Sequence, residues 1–163
     1  MQPHDAPIDR ITKEVEMNAL PHRRGPRPQT VAPRPHAQVS EPSPGEIRDE
    51  LVRRALTLPG VRPAGSLVSV PGALAFVLQD EHAGGPPEAF QAGREFAHVH
   101  PPEDGSLHMT LPAEVAADAM EKGWGEPHPV SGTPLVYAPR DSTELDVVWR
   151  LLRASHAFAT GGA

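Results

Sequence analysis

Arg94-Glu95-Phe96-Ala97-His98-Val99-His100-Pro101-Pro102-Glu103-Asp104-Gly105-Ser106-Leu107-His108-Met109-Thr110-Leu111 is the stretch that decides how this chain reads. Two runs of alternating character flank a Pro/Gly turn, the pattern of a β-hairpin whose side chains point to its two faces in turn. With His100 paired to His108, the residues Phe96, His98, His100, His108 and Thr110 project from one face. Arg94 joins them by the same alternation, while Glu95 falls on the opposite face unless the strand bulges. Ala97, Val99, Leu107, Met109 and Leu111 then face a core. Slipping the register by one would set Leu107 and Met109 beside the histidines, so the apolar pattern selects this arrangement. Three imidazoles are expected to converge on one partly buried surface.

Outward from the hairpin, the chain divides into three parts. Residues 1–18 show little periodicity and read as a disordered end. Residues 19–42 form a Pro/Arg-rich extended arm, with Arg23, Arg24, Arg27 and Arg34 and no acidic residue before Gln38. Its prolines fix an extended backbone, and its positive charge faces an acidic remainder. Two readings follow: a solvated linker, or a strap that pairs its arginines with carboxylates and buries Leu20 and Val31. Residues 43–163 form the folded domain. Ser43-Pro44-Gly45-Glu46 reads as a capping box for a helix carrying Ile47, Leu51, Ala55 and Leu58. Ser66–Val70 and Ala73–Leu78 read as a hairpin, Pro112 opens a helix ending at Gly123, and Pro134–Pro139 reads as a strand. Asp141 or Ser142 begins a final helix with a stripe of Leu145, Val148, Trp149, Leu152 and Ala159. The expectation is a single α+β domain, an antiparallel sheet built from hairpins and covered by helices on one face.

Composition narrows the function. With 163 residues, 21 prolines and 14 glycines, there is room for one domain and long irregular segments. A formal net charge of −6 argues against nucleic-acid and membrane-surface partners, which demand a basic excess. The absence of cysteine excludes disulfides, thiolate metal sites and cysteine nucleophiles. No apolar run approaches the roughly 20 residues of a membrane span, and no signal sequence opens the chain, so a soluble cytoplasmic protein is expected. Nothing fixes the oligomeric state.

The histidine face suits three roles. A metal ion is one, because His-x-His on a strand sends two ligands to one point and His108 supplies a third, with Glu103, Asp104 or His128 to complete the set. Acid–base work is another: an imidazole with a pKa near 6.5 takes and returns protons at neutral pH, and a carboxylate on its far nitrogen fixes its tautomer. Arg94 would then hold an anionic oxygen of the substrate. The third is structural, with the histidines bonding one another and the backbone. Trp124 sits in the Gly/Pro-rich turn Lys122–Pro129, where it either stacks on a flat ligand or caps the core, and His128 and Tyr137 are open to the same two readings. His36 and the other arm and loop histidines carry no clear signal, and His156 reads as a packing or surface residue. A nucleophile elbow, a phosphate loop and a dinucleotide fingerprint are all missing, which disfavours serine hydrolases, nucleotidases and nicotinamide enzymes.

Four motifs in order carry a resemblance: Arg94-Glu95-x-Ala97-His98-x-His100, Leu107-His108, Lys122-Gly123-Trp124-Gly125-x-x-His128-Pro129 and Tyr137-Ala138-Pro139-Arg140. Between about Arg94 and Thr160 the chain resembles the luciferase domain of bioluminescent fungi. It also resembles bacterial proteins of that family back through the arm from about Leu20. The resemblance implies an oxygenase, since the fungal enzymes oxidise 3-hydroxyhispidin, a styryl-pyrone, with molecular oxygen, releasing carbon dioxide and light without an organic cofactor. It implies catalytic roles for His98, His100, His108 and Arg94, and substrate contacts from Trp124, His128, Thr110, Phe96 and Tyr137. A histidine base would deprotonate a planar, enolisable small molecule so that its enolate reacts with oxygen; a metal on His98, His100 and His108 is the less favoured route. The membrane-spanning start of the fungal proteins has no counterpart here, and the segment between Pro129 and Leu135 is shorter, so the small-molecule substrate is expected to differ. The alternative class is a non-catalytic module that binds a metabolite or a partner.

Overall fold

A computed structural model describes residues 20–162, so the expected disordered end at 1–18 lies outside the described residues. The elements run β1 (Thr30–Val31), β2 (Ala37–Gln38), α1 (Gly45–Ala55), β3 (Val61–Gly65), β4 (Leu74–Leu78), two short 3-10 turns, β5 (Glu95–Val99), β6 (Leu107–Met109), α2 (Ala113–Glu121), β7 (Gly125–Pro127), β8 (Pro134–Val136) and α3 (Ser142–Thr160). Strands β3 to β8 form one antiparallel sheet in the order β3-β4-β5-β6-β8-β7. The fold is α+β, as the hairpin-and-helix pattern implies. Among the described residues no helix is long and apolar enough to cross a membrane.

One face of the sheet carries the core. Ala97, Val99, Leu107 and Met109 alternate inward and are fully buried, and they meet Leu51 and Ala55 of α1 and Leu145, Val148, Leu152 and Ala159 of α3. Asp141 caps α3 by accepting a hydrogen bond from the Glu144 amide at 2.9 Å. The Ser43 hydroxyl, by contrast, does not cap α1. It donates to the Pro139 carbonyl at 2.6 Å and so ties the start of α1 to the loop before α3, leaving Pro44 as the cap residue.

Two strand assignments differ from the sequence reading. The partner of β4 is Val61–Gly65, with Val61 opposite Leu78 and Gly65 opposite Leu74. Pro63 is tolerated there because β3 is the sheet edge, where a missing amide costs no ladder bond. Ser66–Val70 is instead a bend that crosses toward the histidine face. Gly125–Pro127, within the turn around Trp124, is the other edge strand, pairing with β8. A side chain at Gly125 would stand 2.2 Å from the Leu135 carbonyl, so only glycine permits this pairing.

The arm is part of the fold. Leu20 is 3% exposed and joins the core, the Pro21 carbonyl accepts from the Trp124 indole at 2.7 Å, and β1 and β2 make a small ladder of their own. Its arginines do not work through carboxylates as the charge pattern suggested. Arg27 donates to the Gly125 and Met120 carbonyls at 2.6 and 2.8 Å, and Arg23 lies over the Tyr137 ring. Fixed backbone dipoles at a helix end and a strand edge give a planar guanidinium more partners than mobile surface acids. Val31 stays 42% exposed, contrary to its expected burial. A chain beginning at Ser43 loses Leu20 from the core and leaves the Trp124 indole and the ends of α2 and β7 unpaired, at a cost of at least about 3 kcal/mol. A thermal melt of that chain should shift down by many degrees; an unchanged melt would mean that the arm only rests on the domain.

Candidate functional site

The other face of the sheet holds His98, His100 and His108, with ring centroids 5.1–5.3 Å apart. The hairpin register pairs His98 with His108, rather than His100 with His108, and Val99 with Leu107. That shift of two residues preserves the alternation, so the same side chains still share the face. The histidines are not half-buried as expected: His98 is 2%, His100 1% and His108 7% exposed. The arm and the Ser66–Val70 bend cover them.

Burial forces each imidazole proton onto an acceptor. In the ladder with β4, Phe76 faces Ala97 but Val77 faces Glu95, so Phe96 is an extra residue in the strand. This bulge turns Glu95 onto the histidine face, where its carboxylate accepts from His98 Nδ1 at 2.8 Å, from the Ser66 hydroxyl at 2.8 Å and from the Leu67 amide at 3.0 Å. For His100 the Ser106 hydroxyl and Asp104 act together: Nδ1 lies 3.0 Å from the hydroxyl, which donates on to Asp104, and 3.0 Å from the Asp104 carboxylate, which also takes the Ser106 amide and the Gln38 amide of β2. His108 is served through the arm: His36 Nδ1 lies 2.9 Å from His108 Nε2, and His36 Nε2 lies 3.0 Å from Glu126. Since a carboxylate only accepts, the proton of His36 sits on Nε2, its Nδ1 accepts, and His108 carries its proton on Nε2. The proton-bearing nitrogens of all three histidines thus lead to carboxylates. His98 Nε2, fully buried, has no partner.

The electrostatics follow. Burial pushes the His98 imidazole below its ordinary pKa despite the opposing pull of Glu95. His108 is pushed down to about 2 by burial and by the neighbouring His98, His100, His36 and His128 rings. Burial alone would raise Glu95, Asp104 and Glu126, but the hydrogen bonds from His98, from His100 and Ser106, and from His36 and Tyr137 outweigh it, so all three lie below the ordinary carboxylate range. His98 and His108 are therefore neutral imidazoles, and the carboxylates behind the face are ionised.

Above the face lies an open cleft of about 570 Å³, bordered by Arg34, His36, Val70, His100, His108 and His128. A second cleft of about 400 Å³, sharing His108 and Val68 with the first, reaches His98 and Thr110. Thr110 donates to the Ala89 carbonyl at 2.7 Å. The His128 ring stands 5.2 Å from His36 and 5.9 Å from His108. Four residues expected at the site are placed elsewhere. Arg94 pairs with Asp80 at 3.3 Å and lies over the Phe90 ring, since the bulge that delivers Glu95 breaks its alternation with the histidines. Phe96 is turned into the core by the same bulge and meets the His156 ring of α3 at 5.8 Å. Trp124 is a core residue that anchors the arm. Tyr137 is buried with its hydroxyl donating to Glu126 at 2.9 Å. His36, which carried no signal in the sequence, and Arg34, expected there to pair with a carboxylate, come to the site because the turn between β1 and β2 folds over it. A glutamate three residues before a histidine in a strand was the one visible sign of the bulge.

A sheet face of three carboxylate-backed imidazoles under an open cleft belongs to a chain whose residues 93–155 match the family model of the Luciferase domain. Luciferases of Armillaria gallica and Armillaria mellea are 37% identical to it over 76 residues, which cover 41% of this chain and 29% of theirs. The luciferase of Neonothopanus nambi is 36% identical over 76 residues, 41% of this chain and 28% of its own. The chain thus spans less than a third of the length of these curated relatives. No solved structure matches. The stretch similar to the Luciferase domain contains His98, His100, His108 and His128 but not the arm's His36.

The depressed His108 fixes a pH dependence of stability. Below about pH 6.5 the unfolded chain binds a proton on this histidine that the native face refuses until about pH 2. Stability is therefore independent of this group above pH 6.5 and falls as the pH drops through that window, by about 1.4 kcal/mol per pH unit. Melts taken in chelator from pH 7.5 down to 5 should show the midpoint dropping below pH 6.5, with a shallower drop in His108→Gln. A flat profile for the parent chain, or an unchanged slope in the variant, contradicts the neutral, buried His108.

Proposed function

We propose that the histidine face is the reacting centre of a luciferase-type oxygenase that binds a small, planar, enolisable molecule of pyrone or polyphenol type and promotes its oxidation by molecular oxygen. The observation that carries this reading is the pair His98 and His100, whose Nδ1–H groups are held by Glu95 and by the Ser106–Asp104 pair, leaving Nε2 as a lone pair, with His100 lining the larger cleft and His98 the smaller. An imidazole in that state is a base at neutral pH and gains strength from the carboxylate behind it. Nε2 takes the acidic proton of the substrate. The electron-rich enolate carbon gives its electrons to oxygen, forming a carbon–oxygen bond, and the proton returns to the resulting peroxide oxygen. His100 borders the larger cleft and is the proposed base; His108 orients the reacting group.

The positive charge first sought at Arg94 is supplied at the cleft by Arg34, whose guanidinium suits the oxyanion of an enolate. Val68, Val70 and Val130 give the same cleft apolar walls for a flat ring. The route itself uses no organic cofactor. Light emission is a property of the substrate as much as of the protein, and it forms no part of the proposal.

Oxygen uptake by the purified chain, screened against 4-hydroxypyrones and catechols, tests it. Uptake should depend on the protein and fall by about 10²-fold or more in His100→Gln, a variant that keeps a donor for Asp104 and so keeps the fold. Arg34→Gln should raise KM more than it lowers kcat. Tight binding of these compounds with no oxygen consumed would overturn the oxygenase and leave a binding module.

A further inference from the structure

Five histidines gather at the cleft, and their hydrogen bonds sort them into two kinds. His36 has both nitrogens committed, to His108 and Glu126. His128 accepts from the Val130 and Ser131 amides on Nδ1, so its proton is on Nε2 and it offers a donor. His98, His100 and His108 are the other kind. His98 spends its N–H on Glu95, His100 on the Ser106–Asp104 pair and His108 on the His36–Glu126 relay, and each keeps its second nitrogen as a lone pair. One atom of each lies within 4.8 Å of the others, and His98 Nε2 is buried with no partner among the described residues.

A buried, unpartnered imidazole nitrogen at His98, with one nitrogen of His100 and one of His108 within 4.8 Å, is left unsatisfied by the protein's own described atoms. A cation satisfies all three. We propose that His98, His100 and His108 bind one divalent first-row transition-metal ion, with Glu95, Asp104 and the His36–Glu126 pair as the groups that fix the ligand tautomers. Imidazole is the donor such ions favour, at about 2.0–2.1 Å, so small tilts of the rings close the set around the ion. Metal-bound histidines characteristically give their other N–H to a carboxylate, and here all three do so directly or through one relay. The cleft leaves room on the open side for water or a substrate oxygen. A bound ion takes up the His100 lone pair read above as the base, so in the loaded protein its Lewis acidity, and not that imidazole, would promote loss of the substrate proton; that role rests on the oxygenase reading, and the occupancy of the site does not.

The full-length chain should be stripped with chelator and titrated with zinc(II) and with cobalt(II), followed by calorimetry and by the visible absorption of cobalt. One equivalent should bind, with a rise in melting temperature. His98→Gln and His108→Gln should each weaken binding by 100-fold or more, Glu95→Gln by about 10–100-fold, and His128→Gln should leave it unchanged. Should the two ligand variants fail to fold, Glu95→Gln and His128→Gln still decide the matter between them. A parent chain that binds neither ion, or binds them as tightly after Glu95→Gln as before, overturns the site. Metal binding without oxygen uptake on any substrate keeps the site and sinks the oxygenase; oxygen uptake by a chain that binds neither ion keeps the oxygenase and sinks the site.

Discussion

A buried imidazole must find a partner for the nitrogen that carries its proton, and that requirement organises most of this molecule. Glu95 is turned to the histidine face by a bulge, Asp104 is held by the turn of the hairpin, and Glu126 reaches in from the edge strand β7 through His36. Each carboxylate is itself satisfied from a different part of the chain: Glu95 by Ser66 and Leu67, Asp104 by Ser106 and Gln38, Glu126 by Thr30 and Tyr137. A network of this kind is stable only when every member is paired. Removing one partner leaves a charge in a low-dielectric setting, so the surrounding loops are constrained as tightly as the strands.

The arm is where site and stability meet. Arg27 and Leu20 hold it to the domain at a distance from the histidines, while His36 and the Gln38 amide enter the network directly. Gln38 also accepts from the Ala138 amide at 2.9 Å, and Arg140 joins Glu144 of α3 to Glu41 and the Arg24 carbonyl, so the arm is fastened along its length. Arg140 is held charged by its hydrogen bonds with Glu144, which in turn lies below its ordinary range because these bonds outweigh its burial. The stretch shared with the fungal luciferases supplies strands β5 to β8 and the three histidines, whereas β3, β4 and the cover over the histidines come from residues before it.

Much of this was legible in the sequence, for definite reasons. Alternation of apolar and polar residues decides strand faces, so the convergence of His98, His100 and His108 could be read without coordinates, even with the pairing displaced by two residues. The amphipathic stripe of α3 and its Asp141 cap were equally plain. What alternation cannot encode is a bulge, which exchanged the expected positions of Glu95, Phe96 and Arg94. Proline-rich text has no periodicity to read, so His36 and Arg34 gave no sign of their place above the cleft. Trp124 and Tyr137 were open between ligand and core from sequence, and packing against the arm places them in the second role.

Three imidazoles share this face with their protons committed, that of His98 to Glu95, that of His100 to the Ser106–Asp104 pair and that of His108 to the relay through His36. Nitrogen-15 NMR of the histidine rings in chelator-treated protein at neutral pH reads this directly, because protonated and unprotonated ring nitrogens resonate far apart. His98 and His100 should carry the proton on Nδ1 and His108 on Nε2, with His98 and His108 uncharged. Imidazolium signals from His98 or His108, or the opposite tautomers at His98 and His100, would contradict this arrangement.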